Sequence, residues 1–211
     1  MGENTDLNLQ SVSLKLAYKG DRNYLQGPDI YNAVTRIVSG RNPSIVFNRI
    51  KMVFHKLARN QCKLTYGNYS ALEQMPKNIN AEVSFIAPSF HIIGWLVETD
   101  EHIIDRIPYP EEDIVKQTSI EGNIITIEGE VQFTPIEILV SMTKHLHMSL
   151  YPIKAGRWII TRLELNRLLT IFDASKFKVE IEKNLNNRLT RGSIHSGEEM
   201  LGYIYFSLVT L

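Results

Sequence analysis

The first half of the chain contains one stretch in which apolar residues recur at helical spacing. It follows Pro28, which suits the first turn of a helix because its missing N–H needs no partner there. Asp29 faces the positive end of the helix dipole, and Gly40 is placed to close the helix. The pattern predicts an amphipathic helix of about three turns. Its buried stripe consists of Ile30, Ala33, Val34, Ile37 and Val38.

The second half contains a more apolar helical stretch, which starts at Pro135. Thr134 and Glu137 have the spacing of a capping box, in which each side chain accepts a hydrogen bond from the other residue's backbone N–H. Apolar residues then cover more than one face, so we expect burial nearly all round and packing against a sheet. These residues are Ile136, Ile138, Leu139, Val140, Met142, Leu146 and Met148.

Most of the remaining sequence has the period of strands. Apolar and polar residues alternate over residues 13–19 and again over 177–182, as in half-buried strands. Further strands are predicted at 81–87, 91–98, 157–169 and 202–211, which are rich in Val, Ile, Tyr, Phe and Trp. The two helices are too few to serve as parallel crossovers, so antiparallel sheets are expected. Residues 184–197 are interpreted as an exposed loop.

The two halves resemble each other. Residues 25–34 overlay residues 132–140 when Pro28 is placed on Pro135, and residues 49–60 overlay residues 157–168. The order of strand, proline-started helix and long strand therefore occurs twice, which predicts an internal duplication. The two repeats are assigned to residues 1–108 and 109–211. The boundary lies in a charged, proline-bearing linker at 100–122, with a short helix expected from Pro110 onward.

Composition narrows the classes of function. The chain has 211 residues, is 44% hydrophobic and has no formal net charge, so nothing in its overall charge favours nucleic acid or an anionic membrane. Cys62 is the single cysteine, which excludes an internal disulfide and a cysteine-rich metal site. The polar opening lacks a secretory signal, and no apolar run approaches the roughly 20 residues that span a bilayer. A soluble, cytoplasmic protein is expected.

One long helix per half, preceded by a strand and followed by several more, resembles the hotdog fold. Two such units in one chain are similar to the double-hotdog arrangement of dehydratases, hydratases and related acyl-thioester proteins. The resemblance implies an α+β protein in which each antiparallel sheet wraps around one central helix. The rival interpretation is a tandem ferredoxin-like RNA-binding protein, which needs two helices in each half.

The hotdog resemblance also implies a substrate and a place for it. Such proteins bind acyl-CoA or an acyl carrier protein thioester, with the thioester carbonyl near the N-terminus of a central helix, whose free N–H groups polarise it. Asp21 lies ahead of the first helix and Glu137 lies at the start of the second, so these two carboxylates are the catalytic candidates. The substrate-binding candidates are Arg22, Tyr24, Gly27, Tyr31 and Asn32.

Some features depart from the family's pattern. The dehydratases have a histidine several residues before a glycine and proline, whereas no histidine stands there before Pro28 or Pro135. Asp21 also fits a simple turn, and Glu137 fits the cap. A non-catalytic acyl-carrier or protein-interaction module is therefore the alternative. His145 and His147 point about 200° apart on a helix and cannot form a metal pair. No metal or cofactor is expected, and a homodimer is left open.

Overall fold

The structure is a computed structural model that describes residues 9–68, 76–129, 132–153 and 155–210. The chain divides into two compact units, residues 1–108 and 109–211. Among the described residues, no helix is both long enough and apolar enough to cross a membrane.

Unit 1 contains one helix and seven strands among its described residues. In chain order these are β1 (Gln10–Ser13), β2 (Tyr18–Lys19), α1 (Gly27–Arg41), β3 (Arg49–Phe54), β4 (Asn60–Asn68), β5 (Ala81–Ala87), β6 (Phe90–His102) and β7 (Arg106–Ile107).

Five of these strands form an antiparallel sheet in the order β1-β4-β6-β5-β3. Strict alternation along β5 buries Ala81, Val83, Phe85 and Ala87 on one face. Tyr66 of β4 is fully buried on the same face, and the Arg41 guanidinium at the end of α1 lies 5.9 Å from its ring centre. The end of the helix therefore packs on this inner face, while the other face of the sheet carries both polar residues and the apolar Val53, Ile93 and Trp95.

Unit 2 contains three helices and six strands among its described residues, and two of the helices are single turns. In chain order these are α2 (Glu112–Val115), β8 (Thr118–Glu121), β9 (Ile124–Ile127), α3 (Pro135–Leu150), β10 (Arg157–Leu165), α4 (Ile171–Ala174), β11 (Phe177–Leu185), β12 (Leu189–Ser196) and β13 (Glu199–Val209).

The strands of unit 2 form an antiparallel sheet in the order β8-β9-β11-β12-β13-β10. The helix α3 lies on its inner face. His147 of α3 stacks on Phe206 of β13, with ring centres 4.9 Å apart, and contacts Trp158 of β10 at 4.6 Å. Leu139, Met142 and Leu146 are each 0% exposed, which confirms the predicted burial of this helix. Met148 is 54% exposed, so its predicted burial is wrong.

The two units share their long elements but differ in connectivity. The helix α1 begins at Gly27 and α3 at Pro135, while β3 begins at Arg49 and β10 at Arg157, so both pairs lie 108 positions apart. In unit 2 the consecutive strands β11, β12 and β13 are neighbours in the sheet. In unit 1 β4 instead pairs with β6, and β5 lies between β6 and β3. Counted along the chain, β5 and β6 correspond to β12 and β13. Within its unit, the neighbour of β3 is β5, whereas the neighbour of β10 is β13, so these two strands exchange places between the units.

The end of α1 differs from the prediction. The helix runs through Gly40 to Arg41 and ends at Asn42, whose side-chain amide donates a hydrogen bond of 2.7 Å to the Val38 carbonyl. The Asn42 side chain therefore caps the end of the helix, which Gly40 was predicted to do. Ile30 and Val34 are buried as expected, but Ile37 is only half-buried because Val38 occupies the innermost position of the last turns.

The predicted strand over residues 13–19 is interrupted. Residues 14–17 lie between β1 and β2, and the buried Gln61 side chain takes over part of their hydrogen bonding. Its Oε1 accepts from the Leu16 N–H and its Nε2 donates to the Leu16 carbonyl, both at 2.9 Å. A side-chain amide can replace a neighbouring strand in this way because it carries the same donor and acceptor as a peptide group.

The predicted loop at 184–197 is wrong, because most of it is a hairpin between β11 and β12. Residues 186–188 connect the two strands, and Asn186 and Asn187 both have φ of 53°, the left-handed conformation that asparagine tolerates in tight turns. The strand β12 was not predicted from the sequence, because its buried positions include Thr190, Gly192 and Ser193. These residues do not give the alternating hydrophobic pattern of a strand.

Candidate functional site

The segment before α1 is held by a tight turn. The short strands β2 and β7 pair in parallel, and the chain then turns at Gly20, whose φ is +54°. The Arg22 N–H closes the turn by donating to the Lys19 carbonyl at 3.2 Å. Asp21 lies at the tip and is exposed, so the turn that was an alternative for this residue is present.

Arg106 fixes this turn from β7. Its Nη1 donates to the Gly20 carbonyl and to the Arg22 carbonyl, the latter at 2.9 Å. The guanidinium also lies 5.3 Å from the ring centre of Tyr18, which is within cation–π range. One cation therefore binds two carbonyls and an aromatic ring, and the position of Asp21 relative to β2 is set by these contacts.

A buried ion pair connects this turn to α1. The Lys19 ammonium lies 2.5 Å from Asp29 Oδ1, and the two side chains are only 14% and 10% exposed. Gln26 is the cap residue of α1 and Asp29 is the third residue after it. The carboxylate thus sits at the positive end of the helix dipole and against an ammonium, which favours its charged form. The sequence indicated the acid but not its partner.

The candidate binding residues are divided between core and surface. Tyr24 and Tyr31 are buried, at 9% and 4% exposure, which agrees with packing roles. Arg22 and Asn32 are half-buried, and Gly27 is the first residue of α1. The segment from Lys19 to Asn32 therefore brings the unit 1 candidates into one continuous stretch around the start of the helix.

Gln26 is a residue in this stretch that the sequence did not single out. Its side-chain Nε2 is buried, and none of the described residues accepts a hydrogen bond from it. A buried amide donor without an acceptor is costly and needs an explanation. Gln26 is the cap residue of α1, where its side chain makes no capping hydrogen bond, and the Asp29 N–H donates to its backbone carbonyl at 3.1 Å.

Glu137 of unit 2 is engaged in its cap. The Thr134 N–H donates to Glu137 Oε2 at 2.8 Å, and the Thr134 hydroxyl donates to the same oxygen at 2.6 Å. The carboxylate is only 6% exposed. Glu137 is the third residue after its cap, the same helical position that Asp29 occupies in α1. Each long helix thus carries a buried carboxylate one turn from its start.

A hydrogen-bonded cluster ties the segment after Pro108 to α3. Ser141 Oγ lies 2.9 Å from the Tyr109 hydroxyl and donates to Glu111 Oε1 at 3.1 Å. Lys144 donates to the other oxygen of Glu111 at 2.8 Å. Ser141 is only 2% exposed, so this cluster anchors the segment on the second turn of α3.

His145, His147 and Cys62 have structural surroundings. The His147 Nδ1 lies 2.7 Å from the Thr143 carbonyl and its Nε2 contacts the Thr190 hydroxyl, while burial lowers its pKa to about 4. His145 Nδ1 lies 3.0 Å from Thr118 Oγ1. Burial raises the pKa of Cys62 to about 12, which removes it as a nucleophile. No group of metal-binding side chains occurs within the described ranges.

Comparisons with known proteins show the fold. No family model matches the sequence, and no curated protein matches it. A trans-AT PKS dehydratase domain from Brevibacillus brevis has a TM-score of 0.50 and 9% identity over 98% of this chain and 95% of its own. The dehydratase domain of the CurF module of curacin polyketide synthase gives 0.48 and 9% over 100% and 96%, respectively. A tesB protein from Mycobacterium avium subspecies paratuberculosis gives 0.47 and 10% over 99% and 95%.

The chain therefore has the double-hotdog fold of the α+β class, which confirms the resemblance drawn from the sequence. The tandem ferredoxin-like alternative is wrong, because each unit has a single long helix among its described residues.

Proposed function

We propose that this protein binds an acyl thioester of coenzyme A or of acyl carrier protein and acts on it in the manner of a thioesterase or a dehydratase. The double-hotdog fold carries the proposal, since a dehydratase domain shares it over nearly the whole chain. Fold alone does not fix chemistry, so the proposal also rests on the groups at the start of α1.

The proposed site is the segment from Lys19 to Asn32. Here the Gln26 amide supplies a buried donor without an acceptor among the described residues, and Gly27 opens the helix. Free N–H groups and the dipole at a helix start can polarise a carbonyl and stabilise the oxyanion that forms when it is attacked. On substrate binding the Gln26 side chain would turn to donate from Nε2 to the thioester carbonyl, since none of the described residues accepts from it.

Asp21 is the proposed general base. Its carboxylate is exposed to water on a turn that Arg106 holds in place, whereas Asp29 is committed to Lys19. In a hydrolysis, Asp21 would take a proton from water as the water attacks the thioester carbon, and the thiolate would then leave. Arg22, Tyr24, Tyr31 and Asn32 stay the proposed substrate contacts.

Glu137 stays the second catalytic candidate. Its Oε2 accepts both hydrogen bonds from Thr134, so a proton transfer by this oxygen would disrupt the cap. This cost favours a supporting role for Glu137 and makes Asp21 the better first target for mutation.

The test of catalysis compares two carboxylates. Asp21→Asn should abolish most thiol release from an acyl-CoA, or most conversion of a 3-hydroxyacyl thioester followed by enoyl absorbance, while the Tm stays nearly unchanged. Asp100→Asn is the matched control, because Asp100 is also an exposed aspartate of unit 1. Equal turnover by the parent and the Asp21 variant would remove this residue from the mechanism.

A non-catalytic thioester-binding protein is the second candidate. Both carboxylates near the helix starts are already engaged, Asp29 by Lys19 and Glu137 by Thr134, and this observation favours binding without turnover. A non-hydrolysable acyl-CoA should then still protect residues 21–31 from hydrogen exchange, and Gln26→Leu should weaken that protection. No protection in the parent protein would contradict both thioester proposals.

A further inference from the structure

A cleft lined by polar and apolar side chains lies on the outer face of the unit 1 sheet. Alternation along β3, β5 and β6 places its side chains opposite the inner face that α1 covers, so it is separate from the segment before that helix. The cleft has a volume of about 250 Å³. Its side walls are formed by Lys51, Val53, Ser84, His91, Ile93 and Trp95.

Ser84 and His91 are hydrogen-bonded in this cleft. Ser84 Oγ lies 3.0 Å from His91 Nε2. Ser84 pairs with Ile93 across the β5–β6 hairpin and His91 pairs with Ile86, so the two side chains are diagonal neighbours on one face. With the ring proton on Nδ1, Nε2 accepts the serine proton. This is the contact that a hydroxyl nucleophile makes with its general base.

The imidazole is suited to accept that proton near neutral pH. Burial lowers the pKa of His91, so the neutral ring predominates already below the ordinary pKa of about 6.5. Ser84 is half-buried, and His91 and Trp95 line the same cleft. The cleft therefore pairs a neutral base with an alcohol in hydrogen-bond contact.

A cation stands next to the serine. Lys51 of β3 is the direct cross-strand partner of Ser84, and side chains of such partners have Cβ atoms about 4.5–5.5 Å apart. In the part of the chain that the structure describes, the Lys51 ammonium has no carboxylate within ion-pair distance; Glu82 of the same cleft lies 3.0 Å from His55 instead. The ammonium is therefore available to an oxyanion at Ser84.

We propose that Ser84 and His91 form the nucleophile and general base of a second site, which acts on small carboxylic esters. Ser84 Oγ bonds to the ester carbon as its proton passes to His91 Nε2, and the oxyanion lies against Lys51. The ester C–O bond then breaks, and the leaving oxygen takes the proton from His91. Water then gives a proton to His91 Nε2 as its oxygen bonds to the acyl carbon; the bond from that carbon to Ser84 Oγ breaks, Oγ takes the proton back from His91, and the acid is released. The cleft volume and the Val53, Ile93 and Trp95 wall suit a short apolar acyl group.

The test uses the full chain with p-nitrophenyl butyrate and with diisopropyl fluorophosphate as an irreversible probe. Intact mass should show one phosphoryl adduct, and peptide mapping should place it on Ser84. Ester turnover should fall more than about tenfold in Ser84→Ala and in His91→Gln, and its rate should rise with pH along one titration whose midpoint lies below 6.5, as expected for a base of lowered pKa. Lys51→Met should lower turnover without abolishing labelling.

Ser11→Ala is the matched control, because Ser11 is also a sheet serine of unit 1 but bonds a hydroxyl, Thr65 Oγ1, at 2.8 Å. This variant should keep full labelling and turnover. Absence of an adduct on the parent protein, an adduct on another serine, or unchanged turnover in folded Ser84→Ala would each overturn the proposal. Acyl-CoA turnover in the same variants separates the two sites, because loss of Ser84 should leave it unchanged.

Discussion

The Lys19 ammonium and the Asp29 carboxylate form a 2.5 Å ion pair that is almost completely shielded from water at the start of α1. Removing one member of a buried pair leaves the other charge uncompensated, and this is more damaging than losing an exposed pair. This difference can be measured by comparing Lys19, in the buried pair, with Lys15, in an exposed pair of the same unit.

Lys19→Met should lower the free energy of unfolding by about 3–5 kcal/mol, because Asp29 then stays buried without its cation. Denaturant titration measures this loss. Lys15→Met is the control, since Lys15 pairs with Glu101 while both side chains are more than half exposed, at 71% and 51%. That substitution should cost less than about 1 kcal/mol. Equal costs for the two variants would show that the Lys19 pair is effectively hydrated.

The buried His147 should make stability depend on pH. Its pKa in the folded protein is about 4, against about 6.5 when unfolded. Between these values the unfolded chain binds more protons, so stability is fully present above pH 6.5 and falls as pH drops toward 4. The loss attributable to this residue is of the order of 3 kcal/mol.

The measurement is the free energy of unfolding from pH 7.5 to 4, in the parent protein and in a His147→Phe, Thr190→Val double variant. The double variant removes the imidazole together with the hydroxyl that contacts it, so that no buried hydroxyl is left at position 190 without its partner. Its stability should vary less with pH over this range. An unchanged slope would assign the acid sensitivity to other groups.

The core of α3 should be sensitive to truncation. Leu139→Ala should cost about 2–5 kcal/mol, the usual range for a cavity in a packed interior, because Leu139 is 0% exposed. Met148→Ala on the same helix should change stability by less than about 0.5 kcal/mol, since Met148 is 54% exposed. Urea denaturation of both variants checks the difference, and a cost for Leu139→Ala below about 1 kcal/mol would contradict the burial.

Two glycines should respond in opposite directions to alanine. Gly40 lies inside α1 with nothing within 4 Å of a new Cβ, so Gly40→Ala should raise stability by about 0.5–1 kcal/mol. Gly202 has φ of +146°, and a Cβ there would lie 2.0 Å from the Glu164 carbonyl oxygen. Gly202→Ala should therefore destabilise unit 2 strongly. Thermal unfolding gives both signs, and a stable Gly202→Ala variant would require the strand to shift.

Sequence patterns predicted the elements that rest on local periodicity. The helices that start near Pro28 and Pro135 are present because an apolar stripe and a proline in the first turn need only neighbouring residues. The hairpin at Asn186–Asn187 was missed because the strand after it buries small polar residues. The break in the strand after Ser13 was missed because its cause, Gln61, lies 45 positions from Leu16.

The contacts of the candidate sites were harder to predict, because they join positions without a periodic relation. Lys19 reaches Asp29 only after a turn at Gly20, and Ser84 meets His91 only once the register of the β5–β6 hairpin is fixed. No periodic signal encodes a diagonal pair across a hairpin. Asp21 and Glu137 were chosen from their distance to a helix start, which locates a carboxylate but not its hydrogen-bond partners.

The exchanged order of two strands has a consequence for folding. In unit 2, β11, β12 and β13 are joined by consecutive hairpins, so that part of the sheet can grow through contacts that are close along the chain. In unit 1, β4 pairs with β6 and not with the intervening β5, which closes a longer loop. Pairing between distant segments slows folding. We therefore expect unit 2 to gain protected amides first, and β4 to be among the last strands to dock.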